Sequence, residues 1–471
     1  MLEQSMTDIA ARLRTVLSSD RILTGDSIRD DYAHDESLTA TWHAPDVVVT
    51  PTSTEEVAAV VGVANELGVP VTARGSATGL SGGSIARRGG ILMSFERMAE
   101  ILEIDAQNHV AVVQPGVTLD QLNEELLGHG LVYPVFPGET SASLGGNVAT
   151  NAGGMRAVKY GVTRHHVLGL RAVLGSGEVI RSGGKFVKAT SGYDLTQLIT
   201  GSEGTLAIVT EAILKIQPRL PHAVTVLAPF RTLEEVTAAV PRIVASGVGP
   251  MVLEYIDLVT MAAIVANTGL VLGVPQEIKD SALAYLVVVL EARTEPRIDE
   301  DVAELAELLE GALDIYVLPP AAGAALIEAR EKAFWTAKAH GANDIIDLVV
   351  PRAQIPVYMA RVAEIAQETG SLIVGCGHAG DGNVHLSIFQ GDAAVRDRAL
   401  HAVFEAGTQL GGAVSGEHGI GTDKRSHFLA LEDPAKLALM GRIKAAFDPD
   451  GILNPGAMLE TSPALTKASA G

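Results

Sequence analysis

The sequence predicts an α+β protein whose two halves are patterned differently. Three observations carry this. A strand–helix–strand unit is written into residues 46–74. Short strands alternate with glycine-rich turns from about Gly75 to Leu214. From residue 222 to 370, amphipathic helices alternate with β-branched strands, the pattern of a helix-covered antiparallel sheet.

Taken in order, residues 1–40 read as short amphipathic helices followed by a polar loop. "DVVVT" suits a buried strand. In "STEEV", Ser53 is an N-cap with Glu56 three residues on, and the helix "VAAVVGVANELG" ends on Gly68 before the strand "VPVTARG". "GILMSF", "HVAVVQPG", "LGLRAVLGSGEVIRSG" and "GTLAIVTEAILKI" are the next strands. "QPRLP" (Gln217–Pro221) marks a boundary. Beyond it, "TLEEVTAAVPRIVAS" and "IDEDVAELAELLEGAL" read as helices and "YLVVVLEA" as a strand. Glycine-rich turns, a helix and "FDPDGILNPG" close the pattern.

Composition excludes several classes. A net charge of −21 argues against nucleic acid or an anionic membrane as main partner, since phosphate binding needs clustered Lys and Arg. One cysteine, Cys376, rules out an internal disulfide and fits a reducing compartment. The N-terminus lacks a basic segment followed by an apolar run, so no signal peptide is expected. The longest apolar runs, such as "LAYLVVVL", fall short of the roughly 18 residues of a transmembrane helix. The expected location is cytoplasmic, with peripheral attachment at the inner face of the membrane left open.

"ARGSATGLSGGS" (Ala73–Ser84) follows a strand and carries four glycines. It reads equally as a surface loop or as a nest of backbone N–H groups for a pyrophosphate. "PGETSASLGGNVATNAGG" (Pro137–Gly154), long and almost uncharged, favours a flat ligand, and "TGSEGTLAIVT" (Thr200–Thr210) is of the same kind. Gly375, Gly377 and Gly380 match a dinucleotide fingerprint in spacing only, because the strand-like "DGNVHLSIF" follows where a helix is required.

"CGHAGDGNVH" and "GGAVSGEHGIG" carry the remaining chemistry. His378 and His385 are an odd number apart and would face opposite sides of one continuous strand. Gly380 and Gly382 allow a tight turn that brings the imidazoles together, with Asp381 in the turn. Two imidazoles and Glu417 make an N,N,O site with open positions, suited to Zn²⁺, Mn²⁺ or Fe²⁺; the alternative is that the histidines satisfy buried hydrogen bonds. His418 cannot easily share a metal with its neighbour and is better placed as a general base.

The ordered motifs "PTSTEEV", "RGSATGLSGG", "PGETSASLGGNVATNAGG", "GSEGTLAIVTEAILKI", "HAGDGNVH", "SGEHGIG" and "LNPG" resemble the FAD-linked D-2-hydroxy-acid dehydrogenases, within the vanillyl-alcohol-oxidase flavoprotein superfamily. D-lactate dehydrogenases, the glycolate oxidase flavin subunit and D-2-hydroxyglutarate dehydrogenases belong there. The resemblance spans residues 40–458 and implies a two-subdomain FAD-binding domain of the vanillyl-alcohol-oxidase type plus an α+β cap domain. The expected layout is an N-terminal helical segment (1–40), the FAD-binding domain (41–220), a substrate domain with the metal site (221–425), a segment returning to the flavin (426–458) and a disordered tail (459–471).

Carried over by motif, Arg74, Gly75, Ser76, Ala77, Thr78, Gly79 and Ser81 should wrap the FAD pyrophosphate. Pro137, Gly138, Ser141, Gly145, Gly146, Asn147, Thr150 and Asn151 should line the flavin and its ribityl group. Gly201, Glu203, Gly204 and Ile208 should sit near the adenosine, and Asn454 should touch the isoalloxazine. The resemblance supports His378, His385 and Glu417 as ligands of a divalent metal, zinc first. It makes Arg330 the partner of the substrate carboxylate, with Asn383 helping to hold the substrate. D-2-Hydroxyglutarate dehydrogenases carry a lysine two positions before the aspartate of "DLVVP"; this protein has Ile345 there, and "FWTA" (Phe334–Ala337) adds apolar bulk. The implied activity is oxidation of a monocarboxylate, D-lactate or similar. The alternatives are a glycolate-oxidising subunit of a complex, a D-2-hydroxyglutarate dehydrogenase, a non-catalytic flavin-binding subunit and, from the histidines alone, a flavin-free metal hydrolase. Electrons would pass to a quinone, a cytochrome or an electron-transfer flavoprotein, and a homodimer is compatible with all of this.

Some superfamily members attach FAD through a histidine in the first loop. Residues 73–84 contain none, so FAD should be held without a covalent bond. Acid precipitation is expected to release all of the flavin; flavin remaining on the washed pellet overturns this.

Overall fold

The computed structural model describes residues 2–459; from residue 460 on, the tail expected above lies outside the described residues. Val47–Val49, Ile91–Ser94 and Val71–Arg74 form a parallel sheet, with Ile22–Thr24 antiparallel on its edge. The helix Thr54–Leu67 crosses between two of these strands. Ser53 Oγ accepts from Glu56 N at 3.2 Å and Gly68 ends the helix, as its capping signals predict. Its buried Val57, Val60 and Val61 face the sheet, each contributing about 1.5–3 kcal/mol by leaving water.

The second sheet is antiparallel, in the order Ile101–Asp105, Val110–Val113, Ala207–Lys215, Val167–Leu174, Val179–Gly183. The helices Leu119–Leu127 and Leu144–Thr150 pack on it. The second of these was not announced by the glycine-rich stretch that holds it. Ser143 caps it, its Oγ accepting from Gly146 N at 3.3 Å. Gly145 costs helix propensity but lets the helix touch Pro115, where a Cβ would collide.

The third sheet has seven strands, all antiparallel: Tyr316–Leu318, His222–Phe230, Ala284–Ala292, Val252–Asp257, Leu372–His378, Asn383–Phe389, Asp344–Val349. Alternation divides its side chains. Phe230, Leu286, Tyr255, Leu348 and Leu386 enter a core with helices Leu233–Ser246, Glu295–Leu308, Ile355–Thr369 and Ala393–Gln409. Leu227, Val287, Ile256 and Cys376 point the other way, toward helices Leu258–Thr268 and Pro320–Glu331. This second face carries the site. "SLIV" and "DGNVHLSIF" are two strands of one hairpin, so the GxGxxG spacing between them opens no helix.

Two buried contacts hold the halves in place. After helix Pro434–Phe447 the chain returns to the first sheet, where Val71 N donates to Ile452 O and Asn454 N donates to Val71 O, both at 2.8 Å. Glu203 reaches across to the loop after His418, its two oxygens accepting from Ile420 N and Gly421 N at 2.7 Å each. Among the described residues no helix is long and apolar enough to cross a membrane.

Glu203→Ala leaves two buried N–H groups unpaired. A loss of about 2–6 kcal/mol is expected in denaturant unfolding, at about 1–3 kcal/mol per orphaned donor; an unchanged midpoint shows that the latch carries no load.

Candidate active site

The hairpin places the histidines. Cys376 lies opposite His385 and His378 opposite Asn383, so His378 and His385 project from the same face of adjacent strands. The turn closes with Asp381 N and Gly382 N donating to His378 O at 3.2 and 3.1 Å. Gly382 has φ +90°, and a side chain there would strike Val350 O. The two rings stand 4.7 Å apart at 75°. Glu417 completes the group: its Oε1 lies 3.1 Å from His378 Nε2 and 3.2 Å from His385 Nε2.

Two carboxylates to which the sequence reading gave no role hold the site from behind. Glu254, fully buried on Val252–Asp257, takes His378 Nδ1 at 2.6 Å, which fixes the ring with Nε2 forward. Asp347 binds the loop that carries Glu417 and His418. Its Oδ2 accepts from Ser415 Oγ (2.7 Å) and from the backbone N–H of Gly416 (3.1 Å), Glu417 (3.1 Å) and His418 (2.8 Å), a nest around an anion. Its Oδ1 accepts from Asn383 Nδ2 at 2.7 Å. The available signal for both was a single acid inside an apolar run, "MVLEYI" and "IIDLVV", because a buried charge must be paired.

The electrostatics call for a cation. Burial would lower His378, but Glu254 and Glu417 hold it well above the usual imidazole value. His385 rises too, its burial outweighed by Asp347 and Glu417. Burial would raise Glu417, yet the two imidazoles hold it well below the usual carboxylate range. A divalent metal would take the place of those protons, so the donor set fits one. A second grouping, Asp347 with His385 and His418, also has ligating atoms within 4.8 Å of one another. Asp347 is already saturated by five hydrogen bonds, which leaves it a support rather than a ligand.

His418 differs from the pair. Burial pushes it down to about 3 despite Asp347, so it is neutral at ordinary pH. Its Nδ1 is buried without a hydrogen-bond partner, 3.9 Å from Asp347 Oδ2.

Two cavities meet here. The larger, of about 490 Å³, is lined by His378, His385, Glu417, His418 and Arg330, and by Pro137 and Gly138. The smaller, of about 150 Å³, is lined by the first glycine loop from Arg74 to Gly79 and Ser81, by Gly145, Gly146, Asn147 and Thr150, and by Glu203, Gly204 and Ile208. Thr78, Gly79, Asn147, Thr150 and His418 line both. Asn147 Nδ2 is buried there with no partner, as a cofactor-binding amide would be before its ligand is counted.

Several expected contacts lie elsewhere. The Arg74 guanidinium donates to the backbone carbonyls of His34 (2.7 Å) and Asp31 and so ties down the N-terminal segment, while the residue itself lines the smaller cavity. Asn454 Nδ2 donates to Gly83 O and Glu203 O at 2.8 Å, clamping two loops, and the residue lines neither cavity. Ser141, Asn151 and Gly201 also stand outside both linings; Ser141 Oγ donates to Glu139 and Asn151 Oδ1 accepts from Arg164 N. Asn383 is consumed on both sides: Nδ2 donates to Asp347 and Leu348 O, and Oδ1 takes His385 Nε2 at 2.8 Å. It orients neighbours and does not reach the cavity. Arg330 does reach it, buried, with Nη2 2.7 Å from Glu254 Oε2. Burial opposes its charge, and facing Cys376 and Glu254 hold it above the usual range. Nε and Nη2 lack a well-directed hydrogen bond.

Comparison with known proteins agrees with this architecture. Residues 45–183 match the family model "FAD binding domain" and residues 219–458 match "FAD linked oxidases, C-terminal domain". The protein is 54% identical over 453 residues to an "uncharacterized FAD-linked oxidoreductase" of Mycobacterium tuberculosis, covering 96% of this sequence and 99% of that one. It is 36% identical over 460 residues to a D-lactate dehydrogenase of Anaerostipes hadrus, covering 93% and 94%. The fold also matches p-cresol methylhydroxylase, TM-score 0.77 with 97% of each protein covered, at 19% identity.

Proposed function

The chain belongs to the FAD-linked oxidases of the D-lactate, glycolate and 2-hydroxyglutarate dehydrogenase family, and we propose that it oxidises a D-2-hydroxy monocarboxylate of the D-lactate type to the 2-oxo acid. The observation that carries the reading is the convergence of His378, His385, Glu417, neutral His418 and Arg330 on one cavity that shares a wall with the glycine-lined one. When bound, FAD supplies the two-electron acceptor for the Cα hydride and a divalent metal, zinc first and manganese or iron next, supplies a Lewis acid for the hydroxyl oxygen.

The protein's own residues do the rest. His418 takes the hydroxyl proton: its ring is unprotonated and able to accept from a hydroxyl made more acidic by that Lewis acid, and Asp347 would steady the imidazolium formed, general-base help being typically worth about 10²–10⁴-fold. His378, His385 and Glu417 hold the metal, with Glu254 and Asp347 fixing their orientation. Arg330 turns the part of its fork not facing Glu254 to the substrate carboxylate. Ile345 and Phe334 in the cavity wall disfavour a second carboxylate, which would lie there without a cation. The reduced flavin then passes its electrons to a quinone, a cytochrome or an electron-transfer flavoprotein.

A screen of 2-hydroxy acids with a dye acceptor tests the reaction; a flavoprotein that turns over none of them refutes it. Metal analysis beside stopped-flow flavin reduction separates the roles. His378→Ala should lose metal, and activity with it, partly restored by excess metal. His418→Ala should keep metal and FAD and lose kcat by about 10²-fold or more. Metal loss in both variants makes His418 a ligand or its direct support. Arg330→Lys keeps the charge but loses the fork, and transition-state binding should weaken by about 1.5–3 kcal/mol, lowering kcat/KM roughly 10- to 150-fold; an unchanged value removes Arg330 from the carboxylate site.

A further inference from the structure

The larger cavity does not end at the metal-ligand cluster. Three neighbouring strands extend its floor in register. Asp347, His385 and Cys376 form one row across Asp344–Val349, Asn383–Phe389 and Leu372–His378. Ile345, Ser387 and Val374 form the next row, and Phe389 and Leu372 pair in the row beyond. All five of these outer residues line the cavity. The roof is Ala263 on helix Leu258–Thr268 and Phe334 on helix Ala333–Ala339. From His385 to Phe389 is four residues of strand, about 13 Å, roughly the reach of an extended alkyl group of eight to ten carbons. None of these outer and roof residues is Lys, Arg, Asp or Glu; Ser387 is the one polar side chain among them, and Thr336 and His340 also line the cavity. Three of the residues that line the cavity are large, apolar and exposed: Leu372 (51%), Val259 (50%) and Trp335 (42%).

We propose that this arm binds the alkyl tail of a medium-length apolar 2-hydroxy acid, so that the preferred substrate is a 2-hydroxy fatty acid rather than D-lactate itself. The inference rests on the reaction proposed above and names its substrate class. A three-carbon acid would leave the arm without a partner, whereas a tail removes apolar wall and tail from water together. A tail ending in a carboxylate would meet no Lys or Arg on this floor and a single hydroxyl, that of Ser387, which is too little to replace its hydration.

The test is a series of unbranched D-2-hydroxy acids from three to ten carbons, assayed on the purified flavoprotein with a dye acceptor. Each added methylene that enters the arm should raise kcat/KM about two- to fourfold, the upper figure being full burial at ~0.8 kcal/mol per CH₂. Ala263→Trp narrows the roof and should lower the ratio of kcat/KM for 2-hydroxydecanoate to that for D-lactate at least tenfold. Decanoate, which has no hydroxyl to oxidise, should bind and perturb the flavin absorbance. A kcat/KM that is flat or falls with the length of the acid overturns the arm while leaving the reaction intact, and so does the absence of any decanoate response. Failure of the reaction looks different: decanoate perturbs the flavin, yet no acid of any length reduces it. That outcome sinks the proposed oxidation and supports the arm as a binding site.

Discussion

The site depends on the buried carboxylate of Asp347. It sits on an inner strand face with no exposure, where an isolated charge would be prohibitive, and it survives because five donors converge on it. Burial would push this carboxyl up; facing His418, Lys424 and His385 hold it well below the usual range. Hydrogen bonds to a charged acceptor are worth about 1.5–3 kcal/mol each, so the array fixes the 415–418 loop against the hairpin. Glu203 holds the same loop from its far side at Ile420 and Gly421, but Asp347 is what ties Glu417 and His418 directly to the sheet that carries His378 and His385.

The same buried setting sorts three histidines into two chemical types. His378 and His385 face carboxylates with their nitrogens and are driven toward positive charge. His418 meets Asp347 mainly through its backbone N–H and at a longer side-chain distance, so desolvation wins and the ring is neutral. An imidazole driven toward positive charge and one kept neutral therefore adjoin, with the rings of His385 and His418 only 5.0 Å apart.

Glu254 links the cluster to Arg330. One oxygen orients His378 and the other faces Arg330, so a single buried acid sets both the donor direction of the imidazole and the position of the guanidinium. It also shares Arg330's charge, which tempers the picture of Arg330 as a free clamp: its fork is divided between a permanent partner and the cavity.

Periodicity and turn chemistry determined much of this protein from sequence alone. The capped helix after Ser53, the strand alternation after Gly75, the helix-covered antiparallel sheet and the hairpin that unites His378 with His385 all follow from local rules that the sequence obeys. The motifs likewise placed the loops that line the smaller cavity. What tertiary structure decided is where the side chains of those loops spend their hydrogen bonds. Arg74, Asn454 and Asn383 sit in the expected segments, yet their polar groups are taken by carbonyls and carboxylates from segments far away in sequence. Glu254 and Asp347 gain their importance only where separate strands bring them behind the imidazoles. A side chain's partner depends on distances between elements, which no single segment encodes, and burial then makes each such pairing obligatory.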